Sequence, residues 1–366
     1  MKILSDLIKI PSISGNETEL AKFLFNYFLN IGLAPIMQDG NVILHFSGKD
    51  KQSALILNAH MDTVSAGDIS LWTYPPFGEN AGVIKAGKMY GLGTSDVKGS
   101  VALLCILSQK LKTKKPATDV WITFVVGEEI DGSGTKSFLK YFSKYKKSYK
   151  HISAIVSEPT GGNSLEIGNR GESKVKITTT GDSGHGSRPH EVKTHAIEEM
   201  FKVIDTMKKI EEYSEKEFTD NRLGIPSFAL TGIFSNENSL NKIPTSCWTF
   251  WDIRTTPKMH AKLLQILEKK LGENISVEVI EGLNHTPVLI GTNEKIIKMF
   301  QAVLPDIQIK TSPGANDVTF FVDANIPAVT FGPGLKKVIH KENEYIEIEK
   351  VNKALEIYKI LLLVDK

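Results

Sequence analysis

The sequence predicts an α/β protein: a three-layer domain, a sheet with helices on both faces, interrupted by a ferredoxin-like α+β domain. Three observations predict it. Apolar runs of strand length alternate with helical periodicity up to about residue 168. From 169 to 276 the order becomes β-α-β-β-α-β. From 277 the α/β style returns. The expected domains are therefore 1–168 with 277–366, and 169–276.

Taken in order, "ETELAKFLFNYFLNIG" (17–32) has helical periodicity, with Asn16 or Thr18 as cap and Gly32 as stop. "NVILHFSG" and "SALILNAHMDTV" read as strands separated by turn signals. "DVKGSVALLCILSQKLKTK" (96–114) is a helix with an apolar stripe, and "DVWITFVVGEE" (119–129) and "ISAIVSEPT" (152–160) are buried strands. "GESKVKITTTGDSG" alternates polar and apolar residues, as a half-exposed antiparallel strand does. A helix over 193–213, strands in "PSFALTGIFSN" and "TSCWTFWDIRTTP", a helix over 258–272 and the strand "ISVEVIEG" complete the insertion. A helix over 293–304, the segment "GANDVTFFVDANIPAVTFGPG" and a last helix near 349–364 follow.

Composition excludes several classes. With 366 residues, 41% of them hydrophobic, the chain can bury a large core. A net charge of +2 with no separate basic block gives no reason to expect nucleic acid or a membrane surface as partner. No apolar stretch reaches the ~20 residues of a membrane span, and "MKILSDLIKIPSISG" lacks a signal-peptide core. Cys105 and Cys247 both lie in core-like segments, which fits free thiols in a reducing, cytoplasmic setting. Of the 44 basic residues only Arg170, Arg188, Arg222 and Arg254 are arginines. Lys is the default cation here, so a retained Arg can mark a need for the guanidinium fork.

In open α/β sheets, ligands bind outside the carboxyl ends of the strands. Four such ends finish in metal-ligand types: His60 and Asp62, Asp96, Glu128 and Glu129, and Glu158. His340 follows "TFGPGLKKVI" as a fifth candidate. Each alone reads more readily as a surface turn or a satisfied polar residue. Together they form a mixed N/O set suited to Zn²⁺ or a similar divalent ion. Asp62, two residues after His60 on an extended backbone, is placed to back its imidazole. Glu128 and Glu129, on the same strand end, are expected to point to different sides. Strand alternation does not say which takes which role.

The ordered set "PSISGNE", "NAHMDTV", "GLGTSDVKGS", "GEEIDGSG", "SEPT", "GNRG", "SGHGSRPH", "NKIPTSCWTFWDIR", "GANDVTFF" and "FGPG…HKENEYI" resembles the M20 metallopeptidase family over residues 11–346. That family includes acetylornithine deacetylase, succinyl-diaminopimelate desuccinylase, aminoacylases, dipeptidases and carboxypeptidases. The resemblance implies two divalent ions, Zn first, with Co or Mn suiting the same ligands. It makes Asp96 the bridge, His60 and Glu158 the other ligands of one ion, and Glu129 and His340 those of the second. Asp62 would orient His60, and Glu128 would be the general base. The insertion would be a lid and dimerisation domain forming a homodimer. His185 would stabilise the oxyanion, in dimeric relatives in the partner's active site. Arg254 would bind a substrate carboxylate, with Arg170, Asn241 and Arg188 at further pocket positions.

Two positions depart from the bacterial desuccinylases. Arg188 replaces the tyrosine of their "HVAYPH", and Ala315 the threonine of their "GGTSD". This puts succinyl-diaminopimelate in doubt as substrate. The short insertion favours a deacylase of N-acyl amino acids over a dipeptidase or carboxypeptidase acting on short peptides. A catalytically dead binding relative is disfavoured because Glu128 and all five ligand types are present.

Overall fold

The computed structural model describes residues 1–363, so position 364 of the last expected helix lies outside the described residues. The chain divides into two compact units. The first contains Met1–Gly168, Ile290–Lys310 and the chain from Asn316 on; the second contains Asn169–Leu289 and Thr311–Ala315.

The first unit is built on a mixed sheet. Its strands lie in the order Ile36–Gln38, Asn41–Phe46, Thr118–Val125, Asp50–His60, His151–Val156, Ala328–Thr330 and Ser164–Asn169. Asp50–His60 pairs in parallel with both Thr118–Val125 and His151–Val156, and Ala328–Thr330 continues the parallel run. The central strands are buried along consecutive residues, seven of eight in Thr118–Val125, so both faces of the sheet are covered. This bears out the α/β expectation. Register sets the level at which the strands end: His60 lies opposite Val125, and Asn58 opposite Val156. Three parallel strands thus deliver their carboxyl-end residues to one edge.

The second unit is an antiparallel sheet in the order Ser227–Ser235, Ser246–Thr255, Gly171–Thr180, Ser276–His285. With the helices Ala196–Phe218 and Leu263–Leu271 it gives the ferredoxin-like arrangement. Burial alternates strictly along Ser246–Thr255, so Cys247, Trp251 and Ile253 face the core. Met200, Met207 and Ile210 of the long helix and Leu267 of the shorter one pack there. Cys105 and Cys247 are buried and unpaired with each other. Among the described residues, no helix is long and apolar enough to cross a membrane.

Three local expectations are corrected. The helix expected over 258–272 is two helices, Pro257–His260 and Leu263–Leu271. The helix expected from 96 starts at Gly99, because Asp96 and Val97 have non-helical dihedrals and the peptide between them is cis. The strand expected to reach 129 ends at Val125, and Gly127 turns the chain with φ +68°. Glu128 and Glu129 therefore sit in a turn, not on a strand end.

That turn is packed against the next helix, Ser133–Lys146, without room for a side chain at Gly134. A Cβ there would stand 2.3 Å from the Val126 carbonyl oxygen and 2.6 Å from its nitrogen. Gly134→Ala is expected to lower stability by about 1–3 kcal/mol through overpacking. Urea unfolding measures this; an unchanged midpoint would contradict the packing described.

Candidate metal centre

All seven carboxylate and histidine candidates of the first unit converge. His60 ends its strand, and its Nδ1 lies 3.0 Å from the Asp62 backbone oxygen. A nitrogen facing a carbonyl carries a proton, so in the neutral ring Nε2 presents its lone pair. Nε2 lies 3.3 Å from Asp96 Oδ1 and 3.2 Å from Glu158 Oε1. His340 Nε2 lies 3.2 Å from Asp96 Oδ2 and 3.2 Å from Glu129 Oε1. The ligand atoms of each trio, His60–Asp96–Glu158 and Asp96–Glu129–His340, lie within 4.8 Å of one another. Asp96 belongs to both and gives one oxygen to each.

These distances suit a metal. In a tetrahedral site with bonds of about 2.0–2.1 Å, ligand atoms stand roughly 3.3 Å apart. The charge balance points the same way. Asp62, Asp96, Glu128, Glu129 and Glu158 share one site, and among the described residues no lysine or arginine forms an ion pair with any of them. Burial pushes the Glu158 carboxyl up to about 7, with Asp96 and Glu129 adding to it against the pull of His60. Burial, then Glu158, raises the Glu128 carboxyl well above the ordinary glutamate range. The Asp96 and Glu129 carboxylates beside His340 draw its imidazole up to about 10. Such a site attracts positive charge. His340 itself has φ +55°, a left-handed backbone that costs free energy in a non-glycine residue.

Asp62 does more than the spacing suggested. Its carboxylate stands 3.5 Å from His60 Nδ1 and accepts the Ser14 hydroxyl at 2.8 Å. It also accepts the backbone N–H of Glu128 at 3.1 Å and of Glu129 at 3.0 Å. Burial would raise this carboxyl, but the His60 interaction, the hydroxyl and the N–H donors hold it below the usual range. The turn that holds the two glutamates is thus fixed by a residue just past the end of the neighbouring strand.

Sequence reasoning missed two buried carboxyl groups around this edge. Asp317 accepts from Asn58 Nδ2 at 2.9 Å and from the Thr135 hydroxyl at 2.6 Å. Burial raises it to about 6. Glu344 accepts backbone N–H groups from the segment holding Asp96. Both lie inside motif stretches, "GANDVTFF" and "HKENEYI", and that membership was the only signal.

The other candidates all belong to the second unit and form two groups. His185 and Asn241 lie at a short strand pair: Gly184–His185 pairs with Lys242–Ile243, and Gly186 N–H donates to the Asn241 oxygen at 2.7 Å. Arg188 N–H donates to the His185 oxygen at 2.9 Å. His185 Nδ1 accepts the Ser187 N–H at 3.2 Å, so in the neutral ring Nε2 carries the proton. Arg254 is held in the sheet: Nε is 2.8 Å from Asp252 Oδ1, and Nη2 is 2.9 Å from Asp252 Oδ2 and 3.0 Å from Glu172 Oε1. Arg170 spends its fork on the Pro313 carbonyl at 3.0 Å, the Ile225 carbonyl and the Ser227 hydroxyl.

A parallel α/β edge carrying two N/O ligand sets that share one carboxylate is the architecture of a metallohydrolase. The chain belongs to peptidase family M20/M25/M40, whose family model matches residues 56–363. It is thus a metallohydrolase of a family that implies a dinuclear metal site. It is 26% identical over 403 aligned positions to a probable succinyl-diaminopimelate desuccinylase of Staphylococcus aureus strain N315, covering 98% of this chain and 95% of that one. Its fold is shared with a tripeptidase from Staphylococcus aureus (TM-score 0.76, 20% identity, 98% and 97% of the two chains). A metallo-carboxypeptidase from Sulfolobus solfataricus is as similar (TM-score 0.76, 21% identity, 98% and 97%).

Removing the Asp62 carboxylate would leave buried donors unpaired. Asp62→Ala is expected to destabilise the metal-free chain by about 1–3 kcal/mol, read by urea unfolding in chelator. A variant as stable as wild type would show that the turn holds itself.

Proposed function

We propose that the chain hydrolyses the amide bond of N-acyl amino acids, as a deacetylase or desuccinylase type of enzyme. The observation that carries this reading is Asp96, whose two carboxylate oxygens address separate ligand sets at 3.3 and 3.2 Å. His60 and Glu158 would complete one site, and Glu129 and His340 the other. Zn²⁺ suits the N/O donors first, with Co²⁺ or Mn²⁺ as alternatives. Bound there, two divalent ions would polarise the scissile carbonyl and lower the pKa of the attacking water.

The chain's own groups do the rest. Glu128 accepts a proton from the attacking water and passes it to the leaving amine. Its raised affinity for a proton suits both halves of that task. Asp62 holds His60 by its ring and Glu128 by its backbone. In a dimer of the family's kind, His185 would reach the partner subunit's site and donate its Nε2–H to the tetrahedral oxyanion there. Arg254 receives the substrate carboxylate at Nη1, which takes part in neither of its ion pairs. Arg170, Asn241 and Arg188 shape the surroundings. The free, buried cysteines support a cytoplasmic enzyme.

The second unit would act as lid and dimerisation domain. Its outer strand, Ser227–Ser235, is a sheet edge that exposes Leu230, Ile233 and Phe234. Apolar edges of this kind invite pairing with another chain. A second reading, dipeptidase or carboxypeptidase, draws support from the peptidase titles of the structural neighbours.

Three measurements test these readings. The metal-reconstituted enzyme is assayed on acetylornithine, acetyl-lysine, succinyl-diaminopimelate and dipeptides. Faster turnover of an acylated amino acid is expected, and a preference for dipeptides would favour the second reading. Glu128→Gln should retain bound metal and lose activity by about 10²–10⁴-fold; near-normal turnover would remove Glu128 as the base. Ile233→Asp with Phe234→Asp should convert a dimer to a monomer in light scattering, whereas a persistent dimer would move the interface elsewhere.

A further inference from the structure

We propose that Glu344 is the positioning residue for Asp96: its carboxylate fixes the loop that aims the two Asp96 oxygens at the two ligand sets. This rests on the reading of Asp96 as the bridging ligand. Glu344 is only 1% exposed. Its Oε2 accepts the N–H of Gly93 at 2.8 Å, and its Oε1 accepts those of Ser95 at 2.7 Å and Asp96 at 3.1 Å. Asp96 and Val97 leave helical geometry, so this stretch lacks a regular ladder to hold its amides. One side chain supplies the missing acceptors for three of them.

The surroundings reinforce that tie. The Gly91 N–H donates to the Glu344 backbone oxygen at 2.9 Å, and the Ser95 hydroxyl donates to the Tyr345 oxygen at 2.7 Å. Lys98, 2% exposed, donates from Nζ to the Ile10 carbonyl at 2.7 Å and so ties down the far end of the same segment. His340 lies four residues before Glu344 in the same loop and meets Asp96 at 3.2 Å. A single buried carboxylate therefore sets Asp96 against His340, and through Asp96 against His60. Neither metal set can be drawn correctly if that loop shifts.

Glutamine at 344 keeps the volume but not the pattern. It has one acceptor oxygen where the carboxylate has two, and its NH₂ would face an N–H. Outer partners of metal ligands contribute about 10–100-fold to metal affinity. The test is Zn²⁺ affinity and stoichiometry by chelator competition on purified, metal-free chain, alongside urea unfolding in chelator. Glu344→Gln is expected to fold, to bind Zn²⁺ about 10–100-fold more weakly and to lose the stoichiometry of two. Glu344→Asp, which keeps a carboxylate, should recover part of the affinity. Wild-type affinity in folded Glu344→Gln would overturn the proposal. Failure of both variants to fold would also overturn it, by giving the carboxylate to the fold alone. Asp96→Asn separates the two layers. If it binds two ions as wild type does, the ligand reading of Asp96 fails, and the proposal for Glu344 with it. If only Asp96→Asn loses metal, the ligand reading stands and the proposal falls.

Discussion

The Asp62 carboxylate is the interaction on which the rest of the site depends. It lies just past one parallel strand, and it accepts two backbone N–H groups from the turn after the neighbouring strand. It also takes the Ser14 hydroxyl and faces the His60 ring. Parallel register brings the strand ends level, but it does not fix the loops beyond them. A short, fully buried side chain with several donors does. Charge-assisted hydrogen bonds to an ionised acceptor are about twice as strong as neutral ones, so this carboxylate can hold an irregular turn against the entropy of a loop. The consequence is coupling: the orientation of His60, the direction of Glu128 and the placement of Glu129 are not independent.

The same edge gathers the five acidic side chains of the site and two histidines, with Asp317 and Glu344 beside them. In water such carboxylates would repel one another weakly; at a buried edge the cost grows as the local dielectric falls. The fold holds the cluster with two kinds of device. Backbone N–H donors stabilise Asp62 and Glu344, whose own roles are to position other groups. The imidazoles face Asp96, Glu129 and Glu158, leaving a net negative charge that bound dications would offset. Donors are thus spent on the supporting carboxylates, while those facing the centre keep their lone pairs toward it. This division is what a metal site requires.

Much of the fold was legible because periodicity is local. Alternation in "GESKVKITT" and consecutive burial in "WITFV" are each set by a few neighbouring residues and by which faces are covered. His60 and Glu158 were legible for the same reason, since register is fixed by the buried strands themselves; Asp96, expected at a strand end, lies instead in the irregular segment before the helix that begins at Gly99. The turn at Glu128 was not legible. The apolar run flows into "VVGEE" without a break, and what ends the strand is Gly127 together with an acceptor 66 residues away at Asp62. Glu344 was hidden similarly: its partners lie some 250 residues earlier. The divided helix at 257–271 was also illegible, because its periodicity continues across the break. Long-range hydrogen bonds leave no periodic trace, so carboxylates that position other groups are harder to read than those that end a strand.

Composition singled out the arginines as places that need the guanidinium fork. Arg254 has a structural use for that fork. It lies opposite Glu172 in the sheet register, as Asp252 lies opposite Lys174. Its guanidinium spans Asp252 and Glu172 at once, which an ammonium on a flexible stem would not reproduce. Arg170 likewise uses its fork on two carbonyls and a hydroxyl within its own unit. With Lys174 and Arg254 balancing Glu172 and Asp252, the cluster contributes little net attraction. On the proposed reading, a substrate carboxylate arriving at Nη1 of Arg254 meets a group already neutralised and already fixed in direction. It gains a defined geometry more than a Coulombic pull. Discrimination between acylated amino acids would then rest on the shape around that nitrogen rather than on the charge behind it.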